Sequence, residues 1–470
     1  MIGLLFLLCL LQWEAKPNEF VPARRCLVFE EDSGWTCSFL LRADVIEPRL
    51  DASFPAPPVA TRSAFLNWNL FGKRNISEQL RLSLDTDVYT QREWRLQNRN
   101  VLTSEVQTAR NGFANVQSQT RLGLNEFFLL FEPTPACQMS VGKKRLMWGT
   151  GFASNPTDVL NPSKNLLDPT TEKRGAWLTS FDHLGDASTQ SIFFAPGIVE
   201  NHNTIPTKIY SFKLDSERSE EEEHYLFGLR SYHLIGEADL NLMVFNSHRY
   251  KDDINHQVKF GVSWSQSLVS LSDGLTGFGE MLAYRGTARP DSSFASRRTS
   301  RSVFFRVLAG MRYDFSNESA LIVEFYSQSD GDSRLDFANR VSNLLKMRSA
   351  LTQVPHSSSE PLSQQTNGSL KSVSSLNMQK YLLLNYQRYK ISDDLLLSLS
   401  IVQNLHDASG YTGPTLAWSP NESMLLTLNA QSEFRFYSDA GISVPGFKNV
   451  REIDLNPFKF RVGVELKSFF

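Results

Sequence analysis

The residues of this 470-residue chain best able to do chemistry are its eight histidines, its four cysteines and a few clustered charges. His256 precedes Ser263 by seven positions, His224 and His233 flank one alternating segment, and Asp182 directly precedes His183. An imidazole that takes a serine proton while a third group holds it in place is the minimum for nucleophilic hydrolysis. No supporting motif surrounds any of these residues, so hydrolysis is the weakest of the function classes. Glu220–Glu223, beside Glu217 and Arg218, are consecutive carboxylates. A calcium ion needs ligands folded around a centre, and such a run reads as a solvated turn. Cys26 and Cys37 are close enough for a small disulfide loop in an oxidising compartment, which leaves Cys137 over. With no Cys-x-x-Cys and no histidine at ligand spacing, neither a metal nor a cofactor is expected.

The most distinctive stretch is Val141–Pro162, VGKKRLMWGTGFASNPTDVLNP. Lys143, Lys144 and Arg145 form a basic run on a strand-like segment. Gly149 and Gly151 suit a chain that leaves its strand abruptly. Asn155-Pro156 and Asn161-Pro162 each join an amide that can bond nearby backbone to a ring that fixes φ, so the loop has a set shape.

The elements that carry these residues read as strands. Leu80, Leu82 and Leu84 alternate with Arg81, Ser83 and Asp85, and Val258, Phe260, Val262 and Trp264 alternate with Lys259, Gly261, Ser263 and Ser265. Similar segments recur from residue 99 to the C-terminus, separated by turn signals such as Ile235-Gly236-Glu237. Only 335–351 shows a helical stripe, inside a long insertion. Phe460, Val462, Val464, Leu466 and Phe470 share one face of the last strand, opposite Lys459, Arg461, Glu465 and Lys467.

A net charge of −2, from 48 basic and 50 acidic residues, excludes a nucleic-acid binder driven by bulk phosphate attraction. The apolar run Ile2–Leu11 is too short to span a bilayer as a helix and suits an export signal. Mean hydropathy is slightly negative, which excludes a helical membrane protein and not a barrel, whose lumen and loops are polar. Export, strand lengths and 33 Phe, 13 Tyr and 8 Trp favour an all-β chain. The expected fold is a closed antiparallel transmembrane β-barrel of about 16 strands (roughly 14–18), large enough to leave a channel. Residues 1–15 read as a signal peptide. Residues 16–60 read as an N-terminal segment that packs in the periplasm, plugs the lumen or adds a first strand. The barrel takes 61–470, with long loops at 149–187, 330–376 and 438–456 on one side.

The alternating strand ending on Phe470 resembles the terminal signal that outer-membrane barrels of Gram-negative bacteria present to their assembly machinery, with Ser468 as a departure. The run Gly142-Lys143-Lys144-Arg145, Trp148-Gly149 and Asn155-Pro156-Thr157-Asp158-Val159-Leu160-Asn161-Pro162 resembles a signature of porin-like barrels of the uncharacterised DUF1302-type family. Lys144 stands where that signature often has Gln. The resemblance covers about 20 residues and implies an outer-membrane channel without naming a solute.

The leading function is therefore a passive or weakly selective outer-membrane channel for small solutes, and not an enzyme. Its partners are outer-membrane lipid and the barrel-assembly machinery, with homo-oligomerisation open and no nucleic acid. On this reading Lys143 and Arg145 form a basic pair facing the pore. The stiff loop folds inward and brings Asn155, Asp158 and Asn161 near the path. The competing reading makes the basic run a snorkelling or loop-facing patch and the Asn-Pro steps an external turn, since Met139 and Val141 share parity with Lys143 and Arg145. A surface structural or adhesin-type barrel, binding through its loops, is the alternative function, and a barrel-embedded hydrolase comes last.

Overall fold

The computed structural model describes residues 35–48, 60–96, 113–146, 148–160, 175–196, 225–248, 256–285, 303–339, 341–342, 378–392, 394–421, 423–436, 441–444, 447–451, 453 and 458–469. The strands, in chain order, are β1 (Trp35–Pro48), β2 (Ala60–Asn75), β3 (Leu80–Leu96), β4 (Phe113–Thr134), β5 (Cys137–Lys144) and β6 (Ala176–Leu184). Then come β7 (Ser188–Ala195), β8 (Tyr225–Ile235), β9 (Ala238–His248), β10 (His256–Ser267), β11 (Leu275–Arg285) and β12 (Val303–Asp314). They are followed by β13 (Ser319–Gln328), β14 (Lys380–Ser392), β15 (Leu395–Asn404), β16 (Ser409–Asn421) and β17 (Met424–Arg435). A small hairpin, β18 (Ile442–Val444) and β19 (Phe447–Val450), precedes the last strand, β20 (Phe458–Phe469).

Each strand from β1 to β17 pairs antiparallel with the next, β17 pairs with β20, and β20 pairs back to β1. The result is a closed antiparallel barrel of 18 strands, at the upper edge of the expected range. Closure gives each of these 18 strands two neighbours and leaves the barrel no bare sheet edge. Odd-numbered strands run from one end and even-numbered ones return, and Ser38 pairs with Phe469, so β1 starts and β20 finishes at the end that carries the tight turns. Gly236 has φ 62° in the turn between β8 and β9, where the first central residue of a two-residue hairpin loop needs the left-handed region. The carbonyl of Gly274, φ 83°, accepts Asp314 N–H at 2.9 Å, and a Cβ there would sit 2.4 Å from Asp314 O.

Alternation sorts side chains into two environments. Val464 is 45 % exposed on the outer face, while Glu465 on the inner face pairs with Arg42 of β1 at 3.8 Å. Phe460, Val462, Val464 and Leu466 share the outer face, opposite Arg461, Gly463 and Glu465. Phe470 lies outside the described residues, as do Cys26 and the segment 1–34.

β1 lies inside the segment 16–60, for which a first strand was one of the three readings. β6 occupies part of the span expected as loop 149–187, so that connection ends at Gly175. The expected loop 438–456 carries the β18–β19 hairpin. A short helix over 334–339, continuing at 341–342, opens the 330–376 insertion.

Candidate functional site

The barrel interior is not uniformly wet. Outer-face Met281 is 42 % exposed and its neighbour Glu280 only 3 %; outer-face Phe325 is 39 % exposed and Glu324 only 1 %. Both glutamates thus point inward, and burial of a carboxylate demands partners. The chain leaving β5 supplies them. Glu280 Oε1 accepts Gly151 N–H at 2.7 Å and Asn155 Nδ2 at 3.2 Å, and its Oε2 accepts Thr157 N–H at 3.0 Å and Thr157 Oγ1 at 2.7 Å. Glu324 accepts the N–H groups of Phe152 and of Ala153, the latter at 3.0 Å. Successive backbone N–H groups curled around an anion form a concave cradle, and each such bond to a charged acceptor contributes about 1.5–3 kcal/mol.

Residues 148–160 therefore lie inside the barrel, along its inner wall. β11 and β13 stand six and eight strands from β5 in a ring of 18, where nine is opposite. Trp148 packs edge-on against Phe193 of β7 at 4.9 Å and stacks with Phe245 of β9 at 6.1 Å. Leu160, Leu178, Leu226, Met243 and Leu282 complete that cluster. Leu178, Phe193, Leu226, Met243, Phe245 and Leu282 are inward apolar positions packed with Trp148, which a barrel lined only by water would not require. Further round, Phe337 and Val341 of the helix, with Ile442 and Val450 of the hairpin, cover inward residues of β13–β15.

The other side of the lumen is polar. β4 carries an extra residue opposite β3, because Asp85 pairs with Glu126 and Thr86 with Leu124. This bulge turns Asn125 inward, where its Nδ2 donates to Asp85 at 3.2 Å alongside Asn69 Nδ2 at 2.9 Å. Arg145 completes the group with Nη2 at 3.0 Å from Asp85 and 3.1 Å from Glu126, and its N–H donates to Glu126 at 2.8 Å.

The basic run divides differently from the pair expected. Met139 and Val141 are outward and exposed, and Lys143 shares their parity; its Nζ turns to Leu124 O. Lys144 faces the lumen, with Nζ 3.4 Å from Ser140 Oγ and over the Phe128 ring at 5.4 Å. Arg145 follows the last paired residue of β5, so strand parity no longer governs it. Lys143 and Arg145 are therefore not one pore-facing pair; Lys144 and Arg145 are the inward cations. Asn155 Nδ2 is spent on Gly151 O at 2.7 Å and on Glu280, which makes it a fastener of the loop. Asp158 N–H donates to Asn155 O at 3.2 Å in a turn at the loop's far end, and Asn161 lies outside the described residues.

The hydrolytic candidates do not assemble. His256 and Ser263 sit seven residues apart on one extended strand, a separation of roughly 23 Å. Buried Ser263 meets Trp148 O at 3.5 Å. Ser231 and His233 are bonded at 2.7 Å on the outer face, and among the described residues nothing holds the second ring nitrogen of His233. His224 lies outside the described residues, and among those described no three metal-ligating side chains cluster.

No protein-family model and no curated protein matches the chain, so the DUF1302-type likeness stays a local resemblance. Among solved structures the chain is similar to OccAB2 of Acinetobacter baumannii, at 10 % identity over 93 % of this chain and 98 % of that one, with a TM-score of 0.47. It is also similar to Pseudomonas aeruginosa OpdK with vanillate, at 9 % identity over 94 % and 99 % of the two chains and a TM-score of 0.46. Salmonella typhi OmpF in complex with daunomycin matches at 9 % identity over 94 % and 99 %, with a TM-score of 0.41. The assignment of the barrel rests on its own closed ring of paired strands.

Proposed function

We propose that the protein is an outer-membrane channel that passes small polar solutes through a lumen narrowed by residues 148–160. The carrying observation is the pair of buried carboxylates, Glu280 and Glu324, that fasten this loop to the inside of a closed barrel. A barrel serving only as a surface scaffold has no need of an internal loop anchored across nearly half its circumference. The outer face carries the apolar side chains a bilayer requires, and the strand ends with tight turns correspond to the periplasmic side of such barrels.

The water path follows the wall the loop leaves uncovered, along β17, β20 and β1–β5. There Arg42 and Glu465, and Arg145 with Asp85 and Glu126, set opposite charges side by side. Low-dielectric walls keep these fields inside the lumen, so charge pairing of this kind favours weak rather than strict ion selectivity.

Purified protein in planar bilayers tests the reading. Discrete conductance steps are expected in simple salt. Bilayers that stay silent after verified insertion contradict it, and favour a structural or adhesive barrel.

A further inference from the structure

Below Trp148, the inner wall of β5–β8 carries charges that the barrel itself does not use. Asp182 on β6 faces inward, between outer-face Phe181 and His183, and makes no hydrogen bond or ion pair among the described residues. In register with it are Ser191 on β7 and Arg230 on β8, each on the inner face. Neighbouring strands lie about 4.8 Å apart, so this row spans roughly 10 Å. Ser191 is 2 % exposed and its Oγ has no partner among the described residues. A buried hydroxyl left unsatisfied costs about 1–3 kcal/mol, which a bound polar group would recover.

Arg230 in the row and Lys144 beside it are held without being neutralised. Arg230 donates Nε to Asn241 Oδ1 at 2.8 Å, and its guanidinium lies 5.6 Å from the Trp148 ring and 5.5 Å from that of Tyr232. Lys144 Nζ reaches Ser140 Oγ, itself 2.6 Å from Ser180 Oγ, one inward position from Asp182. Both cations lie in the field of the Asp182 carboxylate without closing on it. A structural ion pair would have closed, since contact strengthens the attraction.

We infer that Lys144, Asp182, Ser191 and Arg230 form a subsite for small zwitterions, solutes that carry a carboxylate and an ammonium a few ångströms apart. Arg230 and the Ser191 hydroxyl receive the carboxylate, and Asp182 receives the ammonium. Lys144 balances Asp182 from the other side, and Trp148 roofs the subsite from the inward loop. A simple anion meets Asp182 as a like charge, and a simple cation meets Arg230 and Lys144, so each half-ligand binds worse than the zwitterion. The inference names a substrate class for the proposed channel and rests on that reading for transport, but not for binding.

The test separates the two. Glycine binding to detergent-solubilised protein is followed by saturation-transfer NMR, with acetate and methylammonium as half-ligands, and block of single-channel current by glycine is recorded in parallel. Glycine is expected to bind at least tenfold more tightly than either half-ligand. Asp182→Asn, which keeps the side chain's shape, is expected to reduce glycine binding about tenfold and leave acetate unchanged or improved. Arg230→Lys and Ser191→Ala weaken glycine and acetate alike, while Asp186→Asn in the exposed β6–β7 turn changes nothing. Binding that responds in this way without conductance supports the subsite and overturns the channel. Conductance with glycine binding no better than acetate, or unaltered by Asp182→Asn, overturns the subsite and leaves the channel standing.

Discussion

The carboxylate of Glu280 on β11 receives both the backbone N–H and the hydroxyl of Thr157, at 3.0 and 2.7 Å, across the inside of the barrel. One side chain on the wall thus fixes the height and direction of a loop that begins six strands away. A loop held this way has one resting position, and whatever passes the lumen passes beside it.

The fit at Gly151 makes that position testable. A Cβ there would lie 1.9 Å from Ser154 O and 2.4 Å from Leu308 Cδ2. Gly151→Ala must push the loop off the wall, at a cost of about 1–3 kcal/mol. The amides of Gly151 and Thr157 are expected to exchange hydrogen about ten- to a hundredfold faster in the variant. Equal exchange in both proteins would show that the loop does not depend on this contact.

Charge placement gives a second prediction. Arg145→Gln leaves Asp85 and Glu126 without their shared cation on the lumen wall. The reversal potential in a salt gradient is expected to move toward cation preference. Lys143→Gln, on the outer-face parity, is expected to leave it unchanged. Equal shifts in both variants would put Lys143 back in the pore.

Packing under the loop yields a third. At Gly228 a Cβ would meet the Phe193 ring at 2.1 and 2.3 Å, whereas at Gly236 it would meet nothing within 4 Å. Gly228→Ala is expected to destabilise by about 1–3 kcal/mol, read as a lower melting temperature in detergent. Gly236→Asn, at φ 62°, costs little because Asn tolerates the left-handed region. A larger loss at Gly236 than at Gly228 would contradict the packing described for the β7–β9 wall.

His406, in the short connection between β15 and β16, titrates below the ordinary histidine range because burial, then Lys380 and Arg334, disfavour its charged form, with Asp407 opposing. Its folded pKa lies below the unfolded value of about 6.5, so its contribution to stability is present above that pH and lost as pH falls toward the folded pKa. Amides 405–409, corrected for intrinsic rates, are expected to lose protection between pH 7.5 and pH 5. His406→Gln is expected to remove that dependence. Protection that rises on acidification would reverse the sign.

The terminal strand was legible because Phe460, Val462, Val464 and Leu466 lie on the outer face while Arg461 and Glu465 lie on the inner one, which is the clean alternation that period-two reading detects. β6 was not, because its inner face carries Leu178, packed in the Trp148 cluster, among Ser180 and Asp182, and the period blurs where a loop covers the wall. The stiff loop after β5 could be read from its Gly and Asn-Pro residues, but its anchors could not. The available signal was a single Glu at an inward position of an otherwise apolar strand, Glu280 in LTGFGEMLAYR and Glu324 in SALIVEFYSQ. Such a carboxylate must find donors elsewhere in the fold. The split of Lys143 from Arg145 was hidden for another reason. Parity carries only as far as pairing, and β5 ends at Lys144.

The most direct measurement is single-channel conductance of the wild-type protein against the Glu280→Gln/Glu324→Gln double variant, each shown to fold by its heat-modifiable mobility. Neutralising both anchors removes the charge-assisted bonds that hold residues 148–160 to the wall. Wild-type protein is expected to give discrete steps, and the variant larger and noisier ones. Identical steps in the two proteins, or none in either, would contradict a channel narrowed by this loop.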